Sequence, residues 1–133
     1  MNVIILRGVS GSGKTTLANV LSKNNKDIVC CADDYFYQDG KYLFNQYKLD
    51  DAHIECRDKF ESLIKEKSPL IILSNTNTKE DYFKDYKELA EENGYLVFVV
   101  CVENRHGNKN VHKVPQKIIN KMSIQLYQSL KLK

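Results

Sequence analysis

Eight consecutive residues, Gly8-Val9-Ser10-Gly11-Ser12-Gly13-Lys14-Thr15, constrain this chain more than any other stretch. Their spacing, G-x-x-x-x-G-K-T, follows an apolar run, Val3–Leu6, that reads as a buried strand, and it opens a helix predicted over Thr16–Ser22. A strand that turns through such a loop into a helix is a device for holding phosphate. The glycines let backbone N–H groups wrap around phosphate oxygens at φ values that side chains disfavour, and the helix N-terminus adds its dipole. Gly8, Ser10, Gly11, Ser12, Gly13, Lys14, Thr15 and Thr16 are therefore candidate nucleotide-binding residues. Lys14 should reach the β- and γ-phosphates and act in catalysis, and Thr15 should ligate Mg²⁺ through its hydroxyl. ATP and Mg²⁺ are the cofactors this pattern implies.

Further apolar runs at Ile28–Cys31, Leu70–Leu73 and Tyr95–Val102 also read as buried strands, because they are short, continuous and rich in Val and Ile. Between them the apolar residues recur at helical spacing. Leu49, Ala52, His53, Cys56, Phe60, Leu63 and Ile64 form one set; Tyr82, Phe83, Tyr86, Leu89 and Ala90 a second; Ile118, Ile119, Met122, Leu126 and Leu130 a third. Thr78 and Asp81 make a capping-box pattern before the second set, Asn93-Gly94 can end it in the left-handed region, and Pro115 suits the first turn of the last helix. Buried strands alternating with helices predict an α/β fold, a parallel sheet of four to five strands with helices on both faces. Ligands of such sheets sit at the carboxyl ends of the strands.

The chain has 133 residues, of which 42% are hydrophobic, enough for one compact domain over 1–133 without disulfides or structural metal. Its N-terminus lacks a signal-like apolar stretch, and no run reaches membrane-spanning length, so a protein with no membrane partner is expected. Cys30, Cys31, Cys56 and Cys101 show no C-x-x-C pair and fit buried free thiols, hence a reducing, cytoplasmic setting. The net charge of +3 is unevenly placed: from Asn104 onward seven basic residues meet no acidic one, leaving 13 basic and 17 acidic residues before them. That basic quarter suits a phosphate-rich partner, or is simply a solvated face.

Three further strand ends carry polar residues of interest. Asp33-Asp34 follows the second strand, where a carboxylate can take a proton from an attacking hydroxyl or hold waters on magnesium. Asp33 is the catalytic candidate; Asp34 suits substrate binding, or a turn or helix cap. The stretch Tyr35–Asn45 holds five aromatics around an Asp39-Gly40 turn, able to stack a base or to pack a hairpin. Asn75, Thr76 and Asn77 follow the third strand and can hydrogen-bond an acceptor or the γ-phosphate, although Asn-Thr-Asn also makes good turns. The segment Glu103–Lys113 is too polar to pack and suits a lid, with Arg105 gripping the transferred phosphoryl group and Lys109 and Lys113 binding substrate. Arg7 and Arg57 are expected to serve packing or surface pairing. His106 and His112 lack partners at metal-ligand spacing.

Taken together, Arg7–Thr16, Ala32–Phe36, Asp39–Tyr42, Ala52-His53, Ser74–Asn77 and Val111–Pro115 resemble the kinase domain of bacteriophage polynucleotide 5′-hydroxyl kinases and related small P-loop kinase-like domains, over about residues 3–127. The resemblance implies a P-loop NTPase sheet, Asp33 as general base and a lid arginine, here Arg105. It implies transfer of the ATP γ-phosphate to a hydroxyl, with a nucleic-acid 5′ end as the acceptor. Two positions depart from the phage pattern: Phe36 stands where those kinases have an acceptor-gripping arginine, and Asn75 where they have an acid. A small-molecule kinase and a nucleotide-binding module with weak ATPase activity are the alternative readings. The oligomeric state is not legible in the sequence.

Overall fold

The computed structural model describes residues 1–103 and 114–130. Four parallel strands, β1 (Asn2–Arg7), β2 (Val29–Cys30), β5 (Leu70–Ser74) and β6 (Leu96–Cys101), form one sheet in the order β2-β5-β1-β6. A separate antiparallel hairpin, β3 (Tyr37–Gln38) and β4 (Lys41–Tyr42), turns at Asp39-Gly40, with both residues at positive φ. The helices are α1 (Lys14–Leu21), α2 (Leu49–Lys65), α3 (Lys84–Glu92) and α4 (Gln116–Ser129).

Alternate residues of the central strands point to opposite sides of the sheet, and both sides are dry. Val3, Ile5, Ile71 and Leu73 pack with Ala52, Cys56, Phe60, Leu63 and Ile64 of α2 and with Tyr86 and Ala90 of α3. Leu6 and Ile72 pack with Ala18 of α1 and Val29. A strand buried on both faces reads as a continuous apolar run, which is why β1 and β5 were recognisable. In α2, Asp50 and Asp51 in the first turn and Lys65 in the last complement the helix dipole.

Four expectations are corrected. α1 begins at Lys14 rather than at Thr16, and β2 is ladder-bonded only over two residues. The Thr78/Asp81 capping box does not form: Thr78 is buried, its hydroxyl lies 2.9 Å from Gln125 Oε1 of α4, and α3 starts only at Lys84, after a single 3₁₀ turn. β6 is not a buried strand. Among the described residues it pairs with β1 alone, Leu96, Phe98 and Val99 are exposed, and Cys101 is a solvent-facing thiol. Gly94 does end α3 at φ +82°.

The end of β1 is stitched to the loop after β5. Arg7, 4% exposed, donates from Nε to Asn77 O (2.8 Å) and from Nη2 to Thr78 O, meets Ser129 Oγ, and lies over the Phe83 ring at 4.9 Å. Burial lowers its pKa. Ser129 Oγ also donates to Thr78 O (2.8 Å), and Ser10 Oγ is 3.7 Å from Met122 Sδ. These contacts draw α4 against the carboxyl ends of the strands, beside the phosphate loop.

Candidate active site: a phosphate loop facing an acidic cleft

Residues 8–13 link β1 to α1. Gly11 and Gly13 take φ +82° and +102°, where a side chain would be strained, and between them the Ser12 N–H closes a turn onto Val9 O at 3.1 Å. Gly8 is required for a different reason. A Cβ there would meet Ser12 Oγ at 2.5 Å and Val102 O at 2.7 Å, and the Gly8 N–H is tied to Thr76 O at 2.9 Å. Ser12 is itself buried. α1 opens with no side-chain cap at Gly13 and no acidic residue in its first turn, so nothing competes with an anion for its N–H groups.

Lys14 Nζ donates to Gly8 O and Val9 O, both at 2.9 Å, which holds the ammonium across the loop. Burial lowers its pKa to about 8, against the raising influence of Cys31 and Asp33. Thr15 and Thr16 are exposed on the first turn. This donor set fits a polyphosphate, and the Thr15 hydroxyl is open to a hard cation beside it.

A cleft of about 510 Å³ adjoins the loop. Thr15, Ala18 and Asn19 form its α1 side, and Val29, Cys31, Asp33 and Asp34 its β2 side; Tyr37 and Gly40 of the hairpin, with Lys26 and Ser74, complete it. The structure thus brings Thr15, Asp33 and Asp34 into one space. Asp33 sits in the 3₁₀ turn Ala32–Phe36, and Tyr42 Oη donates to its Oδ1 at 3.4 Å. Partial burial raises the Asp34 pKa while Lys59 and Lys26 pull it down. Burial, then Asp33, raises that of Tyr42. Burial pushes the Cys30 and Cys31 thiols up to about 12, so Cys31 lines the cleft as an inert thiol.

The residues after β5 take other places. Asn75 accepts the Ala32 N–H at 2.9 Å and donates to Cys56 Sγ, fixing the start of the turn that carries Asp33. Asn77 is buried at φ +48° and donates to Leu6 O at 2.9 Å, so its side chain faces the protein's own backbone. Arg105, Lys109 and Lys113 lie outside the described residues, as do His106 and His112.

Sequence reasoning passed over Lys26 and Asn19, and it gave Ser74 and Tyr42 no individual role although both stood in segments it singled out. Asn19 was findable, since it lies one helical turn beyond Thr15 on the same face. Ser74 stood in the Ser74–Asn77 segment already singled out. Lys26 carried no signal: it lies in a 3₁₀ turn before β2, held by Lys59 Nζ, which donates to Lys26 O (2.9 Å) and Val29 O (2.7 Å).

A glycine loop from strand to helix, with a lysine across it and a threonine on the first turn, defines a P-loop NTPase-like nucleotide-binding domain. The chain belongs to the AAA domain family, whose profile matches residues 3–116. It is 34% identical over 96 residues to NEDD4-binding protein 2 of Homo sapiens, a match covering 71% of this chain and 5% of that protein. YLP motif-containing protein 1 of Rattus norvegicus and of Mus musculus is 26% identical over 149 residues, covering 91% of this chain and 11% of each. The chain therefore spans a small part of the length of these curated relatives. Among the described residues no helix is long and apolar enough to cross a membrane.

Proposed function

We propose that this domain is an ATP-dependent phosphotransferase that moves the γ-phosphate to a hydroxyl, with the 5′-hydroxyl end of a polynucleotide as the acceptor. One observation carries this reading: Asp33 lines the same cleft as Thr15, the last residue of a glycine loop that Lys14 spans. Asp33 accepts the proton of the attacking hydroxyl. Lys14 and the loop amides neutralise charge on the β- and γ-phosphates, and Asp34 and Lys26 orient the acceptor. Mg²⁺, held by Thr15, would supply further charge neutralisation. Arg105 is proposed to grip the transferred phosphoryl group, Lys109 and Lys113 to bind the acceptor, and Thr76 to hydrogen-bond the acceptor or the γ-phosphate. The resemblance to phage polynucleotide kinases and the basic C-terminal quarter support the polynucleotide acceptor. The inert thiols Cys30 and Cys31 support a reducing, cytoplasmic setting.

A second reading, a small-molecule kinase, is favoured by the cleft lining itself, where Asp33 and Asp34 outnumber Lys26 and suit an uncharged, hydroxyl-rich acceptor. Incubation with γ-labelled ATP and a panel of 5′-hydroxyl oligonucleotides, nucleosides and sugars separates the two. Label on oligonucleotides supports the first, and label only on small acceptors the second. ATP hydrolysis with no labelled acceptor would make the domain a nucleotide-binding module.

A further inference from the structure

The aromatic segment after Asp33 divides into anchors and exposed rings. Phe36 is 3% exposed, with Tyr35 edge-on at 5.3 Å and Phe44 at 5.1 Å, and it fixes the hairpin to the core. The position where an acceptor-gripping arginine was absent from the sequence is thus filled by a core residue. Tyr37, Phe44 and Tyr47 instead stand 47%, 55% and 86% exposed. Tyr37 meets Tyr42 at 5.2 Å, and Tyr42 and Phe44 are stacked, with 20° between their planes. Tyr37 also lines the cleft that holds Asp33. A strip of contacting rings, Tyr37, Tyr42 and Phe44, therefore begins in the cleft lining and leads to the exposed Phe44, with Tyr47 exposed three residues further along the chain.

We propose that this strip is a stacking platform for the unpaired bases next to the hydroxyl that enters the cleft, which makes the preferred acceptor a single-stranded nucleic-acid end. The proposal rests on the phosphotransfer reading above. Three features favour bases over another occupant. Of the large exposed apolar side chains between residues 37 and 47, Tyr37, Phe44 and Tyr47 are flat rings and Leu43 is aliphatic, and the rings match the π-face of any base. Phe44 and Tyr47 do not line the cleft, so they lie outside the space that a single sugar or nucleoside bound there would fill. Exposed lysines, Lys41 on β4 and Lys48 beside Tyr47, interleave with the rings and suit the phosphates between bases; the solvent-exposed Lys48–Asp51 pair at 3.8 Å holds Lys48 only weakly. A duplex buries its base faces against each other and cannot use the strip.

The test measures kcat and KM on a 5′-hydroxyl single-stranded oligonucleotide, the same strand in a blunt duplex, and a mononucleoside, for wild type, Tyr47→Ser and Phe44→Leu. Tyr47 is so exposed that its loss leaves folding intact, so the test holds even where Phe44→Leu disturbs the hairpin. Wild type should prefer the single strand. Each ring lost should raise the single-strand KM by about five- to 150-fold, the range for one stacked base, and shrink the preference over the mononucleoside. If wild type labels oligonucleotides but Tyr47→Ser keeps its KM, or if duplex and single strand serve equally, the platform is refuted and the phosphotransfer reading stands. Preference for nucleosides or sugars over oligonucleotides refutes the platform in the same way. No transfer to any acceptor would remove both.

Discussion

The phosphate loop and the wall of the cleft meet at Asp33, yet they are specified in opposite ways. The loop is eight consecutive residues whose shape is set largely within the segment, by two glycines at positive φ and by Gly8 against Ser12, although Gly8 also abuts Val102 O and bonds Thr76 O. The wall is assembled from α1, the turn before β2, the Ala32–Phe36 turn and the hairpin. It is held by bonds between elements, the long-range one from Asn75 to Ala32 and the shorter one from Tyr42 to Asp33 among them. A local device fails when one of its own residues changes. A distributed one can be weakened by degrees, from positions that never touch a ligand.

The largest effect should come from the loop. Lys14→Ala removes the cation held across it and should abolish phosphoryl transfer while the variant stays folded. Unchanged turnover in a folded variant would mean that the loop binds without catalysing. Next comes the junction. Asp33→Asn should keep ATP affinity and lower kcat by about 10²–10⁴, the usual range for a lost general base, and Asp34→Asn should do less. Greater damage from Asp34→Asn would reverse the roles within the pair.

The same contrast explains what was legible in the sequence. The loop, β1, β5 and α2 were readable because each is fixed by neighbours in the chain: glycine geometry, a two-sided apolar run, or an apolar stripe. The start of α3 was not, because Thr78 is claimed by Gln125, 47 residues away. Asn75 and Asn77 looked like ligand contacts, but their partners Ala32 and Leu6 lie 43 and 71 residues distant in sequence. The exposure of β6 was not legible because a strand does not say what covers its faces: β2, at the other edge of the sheet, is buried. Lys26 enters the cleft only through the tertiary placement of β2.

A pH measurement sharpens the loop side further. With Lys14 lowered to about 8 by burial, the unliganded loop loses its cation as pH rises through that value. Bound phosphates favour the charged form, so binding should take up a proton. Nucleotide affinity should be level below about pH 7 and fall by up to about tenfold per unit above 8. Calorimetry in buffers of different ionisation enthalpy at pH 8 to 9 would register the uptake. A flat affinity across this range would show that Lys14 contributes little charge to binding.

The smallest effect tests whether the wall acts on the chemistry or only supports it. Two of the attachments of Tyr42 can be separated by mutation: its ring packs against Tyr37, Phe36 and Phe44, and its phenol donates to Asp33 Oδ1 at 3.4 Å. Tyr42→Phe keeps the first and removes the second. One hydrogen bond of this length should cost about two- to tenfold in kcat and leave the KM for ATP unchanged. If the loss arises because Asp33 is less well oriented, it should vanish in an Asp33→Asn background, since the group being positioned is already disabled. An equal loss in both backgrounds would assign Tyr42 to the packing of the hairpin alone. The wall would then be a scaffold, and the control of Asp33 would rest with Asn75 and the turn it fixes.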